Sequence, residues 1–245
     1  MKAALFVTCL VDGVTPQVAQ ATVRVLERLG VTVEMPMGQT CCGQMHVNTG
    51  YPREAIPLIR NHVRTFGEYE AIVVPSGSCT ASIRHQHADV ARQAGDDALA
   101  ADAAAVAGRT WELSEFVSGV LGVTDVGAYF PHRVTYHPTC HSLRLLRVGE
   151  QPLQLLRAVE GIDLVELPGA GQCCGFGGTF AVKNPAVSGA MLADKIAAVR
   201  QTGAAFAAAA DASCLLHIGG GLSRLRTGIG TRHLAEILAA TREDQ

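Results

Sequence analysis

The sequence lacks a strong net charge, has few aromatic residues and contains no long apolar run. Its 245 residues carry a formal net charge of −2; 17% are charged and 5% aromatic, whereas 48% are hydrophobic. High hydrophobicity with little net charge excludes an intrinsically disordered chain. The near-neutral charge also argues against nucleic-acid binding, for which a basic domain is expected. No apolar stretch approaches the roughly 18 residues of a membrane-spanning helix, so we expect no transmembrane segment.

Cysteine is scarce as well, and its scarcity excludes a disulfide scaffold. Eight of 245 residues are cysteine, well below the roughly 8–10% of small disulfide-rich proteins. The apolar N-terminus has some features of a signal peptide, but it reaches Asp12 with no small-residue cleavage site, which favours a core strand. We therefore expect a cytoplasmic protein, in which thiols stay reduced and clustered cysteines serve metal or redox chemistry.

The cysteines are ordered as an internal repeat. They form two sets of four, each with a single, a double and a single cysteine: Cys9, Cys41, Cys42 and Cys79, then Cys140, Cys173, Cys174 and Cys214. Subtracting the first set from the second gives offsets of 131, 132, 132 and 135 residues. Both doublets continue into glycine as Cys-Cys-Gly. We predict two homologous halves, residues 1–120 and 121–245.

Each half alternates short apolar runs with segments of helical periodicity. The pattern predicts strands at 2–8, 31–35, 71–74, 133–136, 162–166 and 204–209, and helices at 16–29, 53–66, 96–107, 112–121, 151–159 and 185–202. Alternating strands and helices indicate an α/β fold in which each half is a small, mostly parallel sheet flanked by helices. The cysteines follow predicted strands, so we expect their loops at the carboxyl ends of the strands, where such sheets bind ligands.

Four kinds of chemistry are open to these thiols. A role as buried core residues is disfavoured because the cysteines stand beside glycine and proline. Disulfide bonds are disfavoured because adjacent cysteines form one only with strained geometry. Zinc accepts four thiolates, but its usual pairs of closely spaced cysteines are absent. Iron–sulfur clusters also take thiolate ligands, and glycine next to a ligand lets the backbone approach the cluster. The spacing favours iron–sulfur over zinc without excluding zinc.

The repeated pattern resembles the cysteine-rich CCG domain family. That domain occurs in heterodisulfide reductase and in the iron–sulfur component of glycolate oxidase. A short chain of two such domains resembles the lactate-utilisation protein A group. Three segments carry that likeness: Pro75-Ser76-Gly77-Ser78-Cys79, His137-Pro138-Thr139-Cys140-His141 and Gly175-Phe176-Gly177-Gly178-Thr179-Phe180. The resemblance covers nearly the whole chain.

This sequence departs from the family motif at one place in each half. The full motif ends in C-x-x-C and supplies five cysteines, whereas each half here supplies four. Ser76 stands three residues before Cys79, and Ser82 stands three residues after it. The corresponding neighbours of Cys214 are Asp211 and His217. A simpler cluster, or one completed by an oxygen or imidazole ligand, is therefore expected in place of the family's double cluster.

Three of the nine histidines stand near a predicted centre. His137 and His141 flank Cys140, and His217 follows Cys214 by three residues, so each is a candidate extra ligand or a partner of the ligands. His85 and His87 are predicted on a helix surface.

The resemblance implies an iron–sulfur electron-transfer subunit of a multi-component system that oxidises L-lactate or another 2-hydroxy acid. It implies iron–sulfur clusters, one per half, held by the eight cysteines, with zinc possible in one half. Companion iron–sulfur and lactate-utilisation subunits would be the partners. Two alternatives stay open: a thiol/disulfide redox protein like heterodisulfide reductase, and a zinc-stabilised interaction module.

Overall fold

The computed structural model describes residues 1–244, which build two four-stranded parallel sheets. The first contains β1 (Lys2–Leu5), β2 (Thr32–Glu34), β3 (Ile72–Val74) and β4 (Thr110–Glu112). The second contains β5 (Arg133–His137), β6 (Asp163–Val165), β7 (Phe206–Ala209) and β8 (Gly230–His233). The strand orders are β2-β1-β3-β4 and β6-β5-β7-β8, which are the same order in each half. The predicted α/β fold with two matching halves is confirmed.

Helices connect the strands of both sheets. In the first half they are α1 (Cys9–Val14), α2 (Pro16–Arg28), α3 (Gln44–Asn48), α4 (Pro52–Phe66), α5 (Gly77–His85), α6 (His87–Gln93), α7 (Asp97–Ala107) and α8 (Leu113–Glu115). In the second they are α9 (Gln151–Arg157), α10 (Phe180–Lys183), α11 (Pro185–Gln201), α12 (Ala212–Arg224) and α13 (Leu234–Ala239). Short π-helical turns at Phe116–Val120 and Ser142–Leu146 and a 3₁₀ turn at Arg242–Asp244 complete the order. Within residues 1–244, no helix is long and apolar enough to cross a membrane.

The repeat extends beyond the cysteines to the last strand of each sheet. Glu112 ends β4 and His233 ends β8, and each caps the helix that follows. The Glu112 carboxylate accepts from the Ser114 amide at 2.8 Å, and His233 Nδ1 accepts from the Ala235 amide at 3.1 Å. A glutamate three residues after each cap completes a capping box. These two strands were not predicted, because three or four residues with threonine, arginine or glycine carry no clear apolar pattern.

One hydrophobic core crosses both halves. Its buried members include Leu5 and Val73 from the first sheet, and Val134, Ala208 and Leu234 from the second half. Helix α2 packs its apolar face against α13, so helices from opposite halves meet in this core. At the end of α2, the Arg28 guanidinium donates to the backbone carbonyls of Val126, Leu238 and Ala239 at 2.6–3.2 Å. Because the halves share this core, their relative orientation is set by packing.

Candidate metal centres

The first half gathers its four cysteines beyond the carboxyl ends of three strands. Cys9 opens α1 directly after β1, the doublet Cys41-Cys42 follows β2, and Cys79 lies in the first turn of α5 after β3. The Sγ atoms of Cys42 and Cys79 are 3.2 Å apart, and those of Cys9 and Cys41 are 3.9 Å apart. All four are free thiols. The first half therefore holds two close, unbonded pairs of sulfur atoms beyond the carboxyl ends of its strands.

The second half repeats this arrangement. Cys140 follows β5, Cys173 and Cys174 follow β6, and Cys214 lies in the first turn of α12 after β7. Cys174 and Cys214 are buried, as are their counterparts Cys42 and Cys79. Ligand atoms of Cys174, Cys214 and His137 all lie within 4.8 Å of one another. The chain therefore has cysteine and histidine groups placed for metal binding.

Glycine after each doublet is required by the backbone. Gly43 and Gly175 have φ angles of +83° and +92°, a region that side chains rarely adopt. A Cβ at Gly43 would lie 3.2 Å from Ala55 Cβ, and one at Gly175 would lie 2.7 Å from the Ser188 carbonyl oxygen. In this conformation the amide of Gly43 donates to Cys41 Sγ and that of Gly175 to Cys173 Sγ, both at 3.4 Å. Each loop thus directs an N–H group at a sulfur atom.

The thiols of each set share protons unequally. The pKa of Cys41 is lowered because its sulfur accepts hydrogen bonds, first from Cys42 and to a smaller extent from Cys9. The pKa of Cys173 is lowered in the same way by hydrogen bonds from Cys140 and Cys174. The same hydrogen bonds raise the pKa of the four donating thiols: Cys9, Cys42, Cys140 and Cys174. Cys41 and Cys173 therefore ionise more readily than the thiols that donate to them. A bound cation would let further thiols ionise, since thiolates are the metal-binding form.

Both sets open into the same cavity, which the repeat alone did not predict. All eight cysteines line it, and the volume in it that is open to the centres of water-sized molecules is about 60 Å³. Gly178 from the second half packs near Met45 from the first, because a Cβ at Gly178 would lie 3.1 Å from Met45 Cγ. The two sheets thus turn the carboxyl ends of their strands towards one common space.

Of the residues three positions before and after Cys79 and Cys214, only the two that come before line the cavity among the described residues. Ser76 and Asp211, three residues before Cys79 and Cys214, both line it. Ser76 accepts from the Cys79 amide at 3.3 Å, and Asp211 accepts from the Ser213 amide at 3.1 Å, so each caps a cysteine-bearing helix. Both Asp211 oxygens are occupied by such donors, which makes the carboxylate a structural bridge.

His137 lies at the end of β5 and is 2% exposed. Neither ring nitrogen makes a hydrogen bond of good geometry. Burial and, to a smaller extent, the nearby Lys195 lower the pKa of His137 to about 4, so the ring is neutral at pH 7. A buried neutral imidazole without partners has a lone pair available for a metal.

The other two candidate histidines lie outside the group formed by His137, Cys174 and Cys214. His141 lines the cavity, with Nδ1 3.7 Å from Cys140 Sγ and Nε2 3.4 Å from the side-chain nitrogen of Gln44 in the other half. His217 is 3.3 Å from the hydroxyl of Ser188, which donates to the Gly175 carbonyl at 2.8 Å. His217 therefore contacts the second Cys-Cys-Gly loop indirectly, through Ser188.

Three residues near the centres were missed or misplaced by the sequence. His85 is exposed as expected, but His87 is buried, with Nε2 2.8 Å from the Cys42 carbonyl; the prediction of a surface position for His87 was wrong. His62 and Lys195 are also buried, on α4 and α11. A polar residue on the apolar face of a predicted helix is the signal that could have found them.

Comparison with known proteins agrees with the repeat. A family model described as "cysteine-rich domain", CCG, matches residues 3–84 and again residues 134–219. The chain is similar to Lactate utilization protein A of Bacillus pumilus, with 46% identity covering 97% of this chain and 99% of the relative. Proteins of the same name from Geobacillus kaustophilus and Bacillus subtilis are each 45% identical, covering 98% and 97% of this chain and 99% of each relative.

Proposed function

The chain belongs to the cysteine-rich CCG domain family, and on that basis we propose that it is an iron–sulfur electron-transfer subunit of a multi-component system that oxidises L-lactate or a related 2-hydroxy acid. One observation carries the proposal: the thiols of both halves line a single cavity. Two redox centres that face the same space are suited to passing electrons, because the distance between them stays short. The name of the relatives supports lactate as the source of those electrons.

Each half would supply one set of ligands. Cys9, Cys41, Cys42 and Cys79 would hold the first centre, and Cys140, Cys173, Cys174 and Cys214 the second. Three observations support a cluster in each half. Unbonded sulfur pairs lie 3.2 and 3.9 Å apart in the first half, and the sulfurs of Cys174 and Cys214 lie within 4.8 Å of each other in the second. A glycine N–H also points at one sulfur in each half. When bound there, an iron–sulfur cluster takes up and releases single electrons at a potential that burial and hydrogen bonds tune.

The chain's own residues would hold and shield these centres. Gly43 and Gly175 donate to Cys41 and Cys173, which lowers the negative charge on those sulfurs. Asp211 is the carboxylate that lines the cavity among the described residues, and donors occupy both of its oxygens. It offers no free base for removing a proton from lactate. In this proposal a companion protein binds and oxidises lactate, and both proteins act in the cytoplasm.

Anaerobic purification followed by iron, sulfide and zinc analysis tests the cofactor. We expect iron with acid-labile sulfide, and an EPR signal that changes on reduction by dithionite. Stoichiometric zinc without iron would overturn the redox proposal and favour a structural zinc module. Aerobic purification is unsuitable because exposed clusters are lost in air.

Deletion of the gene from its own host tests the pathway. Growth on L-lactate as the carbon source should fail and growth on glucose should continue. The wild-type gene should restore growth, whereas a C42S/C174S gene should not. Unimpaired growth of the deletion strain on lactate would contradict the assigned substrate.

A further inference from the structure

The repeat pairs residues of the two halves, and two of these pairs are chemically unlike. Helices α4 and α11 begin at Pro52 and Pro185, and their fourth residues, Ala55 and Ser188, both lie against the glycine of the Cys-Cys-Gly loop. Counting ten residues from each proline pairs His62 with Lys195. In the same way, the residues three before Cys9 and Cys140 are Phe6 and His137, at the strand ends.

The first half places only carbon atoms where the second has an imidazole. The Phe6 ring packs edge-on against His62, with ring centroids 5.0 Å apart, and against Phe66 at 5.5 Å. Burial lowers the pKa of His62 to about 3, so this wall of the first centre is uncharged at pH 7. At the position of Phe6 the first half therefore offers no ligand atom.

The second half places a nitrogen and a cation there. The ring of His137 lies with Cys174 and Cys214 in a buried group whose ligand atoms are within 4.8 Å of one another. Both of its nitrogens are buried without a good hydrogen bond. Leaving a buried polar atom unpaired is unfavourable because it has lost its hydrogen bonds to water. A metal bond to one nitrogen would remove much of that cost.

Lys195 adds a buried ammonium against the loop that leads from β6 to the second cysteine doublet. It is 1% exposed, and its Nζ donates to the Gly169 carbonyl at 3.1 Å. Burial lowers the pKa of this ammonium, while the charges of Cys174, Cys173 and Cys214 raise it. Thiolates of the second set therefore stabilise Lys195 in its charged form, and the ammonium stabilises added negative charge on that set.

We infer that the two centres are unequal: His137 ligates the second centre through a ring nitrogen, and with Lys195 it gives that centre the higher reduction potential. This inference rests on the proposed function. A nearby cation raises the reduction potential of an iron–sulfur centre because it favours the electron-richer state, and an imidazole that joins the four thiolates adds no negative charge that would oppose this effect. An electron that enters at the first centre would then move to the second, which is reduced as the first is reoxidised.

Pulsed EPR of protein labelled with ¹⁵N-histidine tests the ligand. Anaerobically purified, reduced protein should show a strong ¹⁵N hyperfine coupling. The coupling should disappear in H137F, which copies Phe6, and persist in H85Q, which changes an exposed histidine. The variant H137C covers the case in which H137F does not fold, because it offers a sulfur ligand and should keep iron while losing the coupling.

The outcomes separate this inference from the proposed function. Protein without iron would overturn both. Iron-loaded wild-type protein without the coupling, or with a coupling that survives in H137C, would overturn the ligand assignment and leave the function standing.

A redox titration followed by EPR tests the order of potentials. Two reduction steps are expected in the wild type, and C42S and C174S should identify them by removing the lower and the higher step, respectively. K195M and H137C should both move the higher step downwards and leave the lower step unchanged. Loss of the higher step in C42S, or an unchanged higher step in both K195M and H137C, would contradict the order.

Discussion

The Asp211 carboxylate accepts a hydrogen bond from the Ser76 hydroxyl at 3.2 Å, although the two residues are 135 positions apart. The same oxygen accepts from the Ser78 amide at 2.9 Å, and the other accepts from the amide and hydroxyl of Ser213. One side chain thus joins the N-termini of the two helices that carry Cys79 and Cys214. The halves are held together at the centres themselves.

Replacing Asp211 should therefore destabilise the protein. In D211A the cap of α12 and the bonds to Ser76 and Ser78 are all lost, which we expect to lower the free energy of unfolding by about 2–4 kcal/mol. Urea unfolding of the metal-free protein measures this loss in the free energy of unfolding. The control S213A removes one hydroxyl donor and should cost about 1 kcal/mol. Equal losses in the two variants would contradict the bridging role.

Gly77 is the second close contact between the halves. A Cβ at this position would lie 1.9 Å from the Ser142 hydroxyl oxygen, on the other side of the boundary. We expect G77A to cost about 1–3 kcal/mol by overpacking. In the double variant G77A/S142A the clashing oxygen is gone, so part of the loss should be recovered. Additive losses in a double-mutant cycle would show that the two residues do not touch.

The glycines of the two Cys-Cys-Gly loops should differ in their tolerance of alanine. Each has positive φ, which costs a side chain roughly 1–2 kcal/mol. In G175A the new Cβ also meets a backbone oxygen at 2.7 Å, whereas in G43A it meets Ala55 Cβ at 3.2 Å. We expect G175A to be the more destabilising in urea unfolding. G228A is the matched control, because Gly228 has φ +78° and open space around it; a loss in G175A no larger than in G228A would refute the steric argument.

The paired caps Glu112 and His233 should give opposite responses to pH. Burial raises the pKa of Glu112 from 4.5 to about 7, so the native state keeps a proton that the unfolded chain releases. Stability should then fall as the pH rises from about 4.5 to 7, by up to about 3 kcal/mol. E112Q should remove this loss while keeping an oxygen for the Ser114 amide. The measurement is urea unfolding across that pH range, and an unchanged slope in E112Q would contradict the assignment.

His233 provides the comparison. Burial lowers its pKa from 6.5 to about 4, so the unfolded chain binds a proton first and stability should fall as the pH drops from about 6.5 to 4. H233N should weaken this acid-side loss. It should not abolish it, because the pKa values of His62 and His87 are lowered by burial in the same way.

The sequence predicted the elements that have a strong local pattern. The cysteine offsets revealed the repeat, and apolar runs located strands such as Ile72–Val74. The shared cavity was not predicted, because the way the halves face each other depends on contacts such as Arg28 with Leu238 that no local pattern encodes. Lys195 and His87, which tertiary packing buries, were missed for a different reason: a polar residue on the apolar face of a helix was not read as buried. The division after residue 120 stays a prediction.

Iron and acid-labile sulfide per chain, measured in anaerobically purified wild type, C42S and C174S, test the central claim most directly. Each half is expected to hold its own centre, so each single variant should lose part of the iron and sulfide and keep the EPR signal of the other half. The account would be contradicted by wild-type protein that contains zinc and no iron, or by single variants that keep the full wild-type content of iron.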